Sequence, residues 1–211
     1  MSFSLSGKTS IVTGASQGLG LEIARGFARA GASVMLCARD ARLLDEARES
    51  VRALSQEGRR VEALAADVSN PDDVARLVAA TLSRFGRIDI LVNNAGIYGP
   101  IGPAEEADWA QWGKAVEVNL FGSVLMCRAV LPAMKARRKG KIIQLSGGGA
   151  PNPLPRFSAY AVSKAAIVRF AETLAEEVRG QGIDVNAIAP GALNTRLLDE
   201  VLAAGPEKAG G

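Results

Sequence analysis

The chain has 211 residues, 48% of them hydrophobic and 22% charged, with a formal charge of +3 at pH 7. This is the balance of a globular domain with a real core. Its length suits one α/β domain over residues 1–211, and so slight a charge argues against nucleic acid as a partner. No His is present, which removes the commonest general base and metal ligand, so proton transfer falls to Tyr, Lys, Asp, Glu or Cys.

The opening "MSFSLSGKTS" lacks a basic segment followed by an apolar one, and no window is read as a membrane span. No membrane partner is expected, and the cytoplasm is the default compartment. Strands and helices then alternate. "KTSIVTG" is a short β-rich run, followed by a helix from about Leu19 to Ala30 closed by Gly31. Between them "TGASQGLG" brings Gly14, Gly18 and Gly20 into one turn, with Ser16, Gln17 and Leu19. Glycines there allow close backbone approach to a phosphate, and the helix N-terminus offers free N–H groups to a pyrophosphate.

The second strand, "ASVMLCAR", ends in Ala38 and Arg39 where an acid would accept hydrogen bonds from an adenosine ribose. Arg39 instead presents a planar cation suited to a 2′-phosphate, which favours NADP over NAD; a solvated surface charge is the alternative. Asp40 caps a charged helix expected over Ala41 to Glu57. "RVEALAAD" is the third strand, and "NPDDVARLVAATLSRFG" a helix that opens at Asn70 and closes at Gly86. "DILVNNAG" is the fourth strand, a Gly/Pro loop follows, and a long helix is expected over Asp108 to Arg138. The basic run "KARRKGK" at its end reads as a helix C-terminus capped by Gly140. "GKIIQLS", a helix from Ala159 to Arg179, "GIDVNAIAPG" and a helical tail from Leu193 to Leu202 complete the pattern. Apolar strands alternating with helices indicate a doubly wound (Rossmann) parallel sheet of about six strands with helices on both faces. Cys37 and Cys127 sit far apart in apolar runs and read as buried thiols. No metal site is expected.

Tyr160 and Lys164 are four apart on the helix after the fifth strand, so they share one face. A phenol titrates near pKa ~10, and a neighbouring ammonium stabilises the phenolate. The expectation is a lowered pKa that lets Tyr160 give or take a proton at neutral pH, with Lys164 beside it.

In order and spacing, "TGASQGLG", "DV" (Asp67, Val68), "NNAG" (Asn93 to Gly96), "VNLFG" with Asn119, "YAVSK" and "NAIAPGALNT" (Asn186 to Thr195) resemble the short-chain dehydrogenase/reductase family over nearly the whole chain. The resemblance implies an enzyme transferring a hydride between NADP and a small-molecule carbonyl or alcohol substrate. It implies that Tyr160 is the acid/base, that Lys164 binds the nicotinamide ribose, and that Asn119 holds a water linking Lys164 to solvent. It places Asp67 and Val68 at the adenine, Asn93 at the centre of the sheet, Ala95 and Gly96 at the ribose, and Pro190, Gly191 and Thr195 at the nicotinamide. Simple turn chemistry is the other account of Asn93 and Asn94.

A family serine usually stands thirteen residues before the tyrosine and polarises the substrate oxygen. Here Gly147 holds that place and Ser146 precedes it. A bend through Gly147, Gly148 and Gly149 would bring Ser146 round as the donor; a backbone N–H, or no donor, is the alternative. That gap leaves a cofactor-binding protein with weak or no catalysis, a redox sensor or assembly partner, as the second reading. Substrate-lining residues are expected to include Tyr98, Ile101, Pro151, Leu154, Phe157, Leu193 and Leu197, with Arg156 facing solvent or an acid. The resemblance also implies a homodimer or homotetramer through the two long helices, with Val124, Met126, Ala166, Phe170 and Leu174 as the apolar excess. It implies a further helix and seventh strand that this sequence lacks, leaving the sixth strand as an edge.

Overall fold

A computed structural model describes residues 4–56, 58–191 and 196–209. Six parallel strands, β1 (Thr9–Thr13), β2 (Ser33–Ala38), β3 (Val61–Ala65), β4 (Ile90–Asn93), β5 (Gly140–Leu145) and β6 (Ile183–Ile188), lie in the order β3-β2-β1-β4-β5-β6. The chain winds outward from β1 to β3, then restarts on the other side of β1 at β4. The C-terminal ends of β1 and β4 therefore flank the switch point where doubly wound sheets hold ligands.

Helices α1 (Gly18–Arg29) and α2 (Ala41–Arg52) cover one face. Ala24, Ala28, Leu44 and Val51 pack there on Val12, Val34 and Leu36. Helices α3 (Pro71–Phe85), α5 (Gly122–Ala136) and α6 (Ser158–Glu177) cover the other, with Leu77, Met126, Val130, Met134 and Leu174 against Ile11, Leu91 and Ile142. Two continuous apolar layers around a parallel sheet explain why its strands read as apolar runs.

Coverage of the two faces is unequal. Along β6, Ile183 and Val185 are buried while Asp184, Asn186 and Ile188 are exposed, and on β5 Lys141 is exposed. Helices cover both faces of the sheet as expected, and Leu145 and Ile143 of β5 still pack in the α1-side core; the wet stretch is that face of β6 among the described residues. β6 stands at the edge, and its alternation is that of a strand with one wet face.

Several boundaries differ from the sequence reading. Helix α2 stops at Arg52 rather than Glu57, because the Ser55 hydroxyl donates to the Arg52 carbonyl at 2.8 Å and the Gln56 amide leaves to donate to the Arg29 carbonyl at 2.9 Å. The long helix is α4 (Trp109–Val116), a π turn (Glu117–Phe121) and α5. This continuous stretch, Trp109–Ala136, is long and apolar enough by length and composition to cross a membrane, contrary to the expectation that no window reaches that length. It is a core helix here: Met126, Cys127, Val130 and Met134 are fully buried. Met126 and Leu174 serve this core, so they are no part of an outward face; Phe121 and Val162 are the large apolar residues exposed nearby. Helix α7 (Arg196–Ala209) runs past Leu202 and breaks at Gly205, φ 75°, ahead of Pro206.

The basic run at the end of α5 is engaged internally. Arg137 pairs with the buried Asp89 at 3.2 Å, Arg138 donates to the Gly180 carbonyl at 2.6 Å, and Lys141 pairs with Asp184.

Candidate active site

The glycine loop sits between β1 and α1. Gly14 and Gly18 have φ of 64° and 56°, a region that L side chains avoid. Gly20 is demanded by packing: a Cβ there would lie 2.3 Å from the Gly14 carbonyl and 2.5 Å from the Asn94 amide. Gln17 precedes the helix in extended conformation and makes no side-chain capping bond, so its side chain leaves the amides of the first turn free for a ligand. Those amides and the positive end of the α1 dipole suit a pyrophosphate. This part of the chain fits a dinucleotide, with Ser16, Gln17, Gly18 and Leu19 as the backbone that would meet the phosphates.

Asn94, which the sequence reading leaves among turn residues, holds this loop in place. Its Nδ2 donates to the carbonyls of Thr13 at 2.9 Å and Gly14 at 3.1 Å, and its own amide donates to Thr13 Oγ1 at 3.0 Å. Ala95 N donates to the same hydroxyl at 3.1 Å, and Thr13 Oγ1 donates to the Val92 carbonyl at 3.3 Å. Its neighbour Asn93 turns the other way, with Nδ2 donating to the Ser123 carbonyl at 3.3 Å, and so ties β4 to α5.

Arg39 is exposed just past β2, and Asp40 caps α2 by accepting from Leu43 N at 2.9 Å. Asp67 lies across from Arg39. Burial opposes its charge, but the hydroxyl and amide of Ser69, then Lys114 and Arg39, outweigh it and hold the carboxyl below the usual range. Val68 is buried against Gly122, where a Cβ would come within 2.7 Å of its methyl. Pro190 and Gly191 are exposed beyond β6. Thr195 and Leu193 lie outside the described residues.

Tyr160, Lys164 and Asn119 meet beneath the end of β5. The π turn carries Asn119 into the site, where its Oδ1 accepts from Ile97 N at 2.8 Å. Its Nδ2 donates to the Ile97 carbonyl and to Ser163 Oγ, both at 2.9 Å. Gly96 lies between: a Cβ would stand 3.2 Å from Asn119 Oδ1 and 3.4 Å from Lys164 Nζ. Lys164 Nζ is 5.5 Å from the centre of the Tyr160 ring and donates to the Leu145 carbonyl at 2.7 Å. Its burial lowers the lysine pKa to about 8.

Two expectations are corrected. The Tyr160 pKa is not lowered; burial first, and then the neighbouring Tyr98, push it up to about 12. The Lys164 ammonium is committed to a carbonyl rather than to the phenol oxygen. Ser146 does not swing round to Tyr160. Its amide still donates to Ile188 at 2.8 Å, so it belongs to the β5–β6 ladder, and its hydroxyl donates to the Lys164 carbonyl at 3.2 Å. The bend begins after it, where Ala150 N donates to the Gly147 carbonyl. Position 147 faces the phenol instead: a Cβ there would be 2.2 Å from the Tyr160 hydroxyl.

Arg156 faces neither solvent alone nor an acid. With φ of 70° it reaches the carbonyls of Glu207 and Lys208, and so holds the end of α7 to the loop after β5.

Residues 8–204 match the family model for short chain dehydrogenases. The chain is 42% identical over 202 residues to 3beta-hydroxysteroid dehydrogenase 1 of Eggerthella lenta, covering 94% of this chain and 76% of that protein. It is also 42% identical over 195 residues to a short chain dehydrogenase of Pseudocercospora fijiensis, covering 92% of this chain and 62% of the other. The crystal structure of L-sorbose reductase from Gluconobacter frateurii, complexed with NADPH and L-sorbose, is 40% identical, with a TM-score of 0.89 over 97% of this chain and 76% of its own. The chain belongs to the short-chain dehydrogenase/reductase family of oxidoreductases. It spans 62% and 76% of the length of the two relatives named first.

Proposed function

We propose that this chain is an NADP(H)-dependent oxidoreductase acting on a carbonyl/alcohol pair, with Tyr160 as the proton-transfer group. The observation that carries the reading is the pairing of Tyr160 with the buried Lys164 at the same strand ends that hold the glycine loop. A bound nicotinamide supplies or accepts the hydride. The amides at the start of α1 hold the pyrophosphate, Arg39 meets the 2′-phosphate, and Lys164 orients the ribose hydroxyls. Tyr160, its pKa raised to about 12, holds its proton at neutral pH and donates it to the substrate oxygen during reduction. Oxidation requires the phenolate, which a nearby cation favours. The NADPH in L-sorbose reductase supports the choice of cofactor.

Self-association and a cytoplasmic setting complete the reading. Phe121 and Val162, both more than half exposed, support a helix-mediated contact between copies. Two free, buried cysteines suit a reducing compartment.

Fluorescence titration with NADPH and NADH tests the cofactor assignment. The expected result is tighter NADPH binding, lost by about 10–100-fold in Arg39→Ala, the worth of one charge-assisted contact. Equal affinities, or a preference unchanged in Arg39→Ala, would remove Arg39 as the selector, and failure of both cofactors to bind would overturn the reading.

A further inference from the structure

The chain has only two tyrosines, and they meet. The rings of Tyr98 and Tyr160 lie 4.7 Å apart, inclined at 57°. Tyr98 comes from the loop after β4, and Tyr160 from the first turn of α6. Phe157 packs on Tyr98 as well, 5.2 Å away at 60°. Next to Tyr98, Gly99 takes φ of 73° and lies so close to Ala115 that a Cβ would stand 2.8 Å from its methyl, which seats the loop on α4. Tyr98 is half-buried; burial first, and then the Glu200 carboxylate, raise its pKa, so the phenol keeps its proton.

The end of β5 offers no side-chain hydroxyl to a substrate. Gly147 has no side chain, and the space where one would begin holds the Tyr160 hydroxyl. The Ser146 hydroxyl is bonded to the Lys164 carbonyl. A carbonyl oxygen placed at Tyr160 would therefore have one donor unless another element supplies a second. Tyr98 is the hydroxyl-bearing residue in ring contact with Tyr160, and the two phenols bear on each other electrostatically.

We propose that Tyr98 is a second catalytic hydroxyl, donating a hydrogen bond to the substrate oxygen beside Tyr160 in place of the side chain missing at Gly147. The proposal rests on the assignment of Tyr160 above. During reduction the substrate carbon gains a hydride from the reduced nicotinamide, the C=O π bond breaks, and the oxygen takes its proton from Tyr160. Tyr98 keeps its own proton throughout and stabilises the charge that develops on oxygen, as an oxyanion donor does.

Tyr98→Phe keeps the ring and its packing and removes only the hydroxyl. The test compares it with Tyr160→Phe on a ketone that the wild-type protein reduces with NADPH, found from a panel of cyclohexanone, acetophenone, ethyl acetoacetate and 1-phenyl-1,2-propanedione. Tyr98→Phe is expected to lower kcat about 100-fold at nearly constant KM, the pattern of a donor acting in the transition state. A wild-type kcat, or a rise in KM alone, would overturn the proposal while a dead Tyr160→Phe keeps the assignment of Tyr160. A Tyr160→Phe variant with wild-type rate would overturn both. A second readout needs no turnover: near-ultraviolet titration of Tyr98→Phe reports one phenol, Tyr160. Its ionisation is expected at lower pH than in the wild-type protein, and an unchanged pH would mean that the two hydroxyls do not share a site, which overturns the proposal even if no ketone in the panel is reduced.

Discussion

The Tyr160 hydroxyl occupies the place where a side chain at position 147 would begin, 2.2 Å from a Cβ built on Gly147. The ring carbons follow at 2.9 and 3.1 Å, so more than a hydroxyl rotation is needed to make room. Gly147→Ala is therefore expected to destabilise the fold by about 1–3 kcal/mol, the usual cost of overpacking. Urea unfolding checks this, and unchanged stability would mean that the phenol moves aside freely. Gly147→Ser meets the same obstacle, so it is not a simple restoration of a donor.

Asn94→Ala removes both side-chain bonds that hold the Thr13 and Gly14 carbonyls. Losing these bonds is expected to cost about 1–3 kcal/mol, and loosening the glycine loop should weaken NADPH binding as well. Unfolding and fluorescence titration measure the two effects separately. Loss of neither would show that the loop keeps its shape without Asn94.

Lys164 makes stability depend on pH in a particular direction. Its pKa falls from 10.5 to about 8 on burial. Between about 8 and 10.5 the unfolded chain holds this proton and the folded chain does not, so stability rises with pH across that window. Below about 8 the cost of burying the ammonium is fully present. The stability of the wild-type protein relative to Lys164→Met should accordingly increase from pH 8 to 10. A flat or falling difference would contradict the burial of this charge.

Much of this molecule is written locally. The glycine loop, the strand runs and the Tyr160–Lys164 spacing each depend on neighbours in sequence, and the sheet order follows from connection rules. Even the wet face of β6 is visible in the alternation of Ile183, Asp184, Val185 and Asn186. What escapes a sequence reading depends on distant partners. Helix α2 ends early because Gln56 is drawn to the end of α1. Asn94 looks like turn chemistry until β4 lies beside β1 and its amide meets the Gly14 carbonyl. Ser146 is decided by the ladder with β6, which carries it away from the phenol. The rise in the Tyr160 pKa reflects burial and Tyr98, set by packing that no spacing of residues encodes.

If the Tyr160 hydroxyl moves the proton while other groups hold the cofactor, removing that hydroxyl stops turnover and spares binding. Steady-state reduction of an accepted ketone by Tyr160→Phe, paired with NADPH titration of the same variant, tests it most directly. Turnover is expected to fall by about 10²–10⁴-fold, the worth of a positioned general acid, with NADPH affinity nearly unchanged. A variant that keeps the wild-type rate would contradict the account.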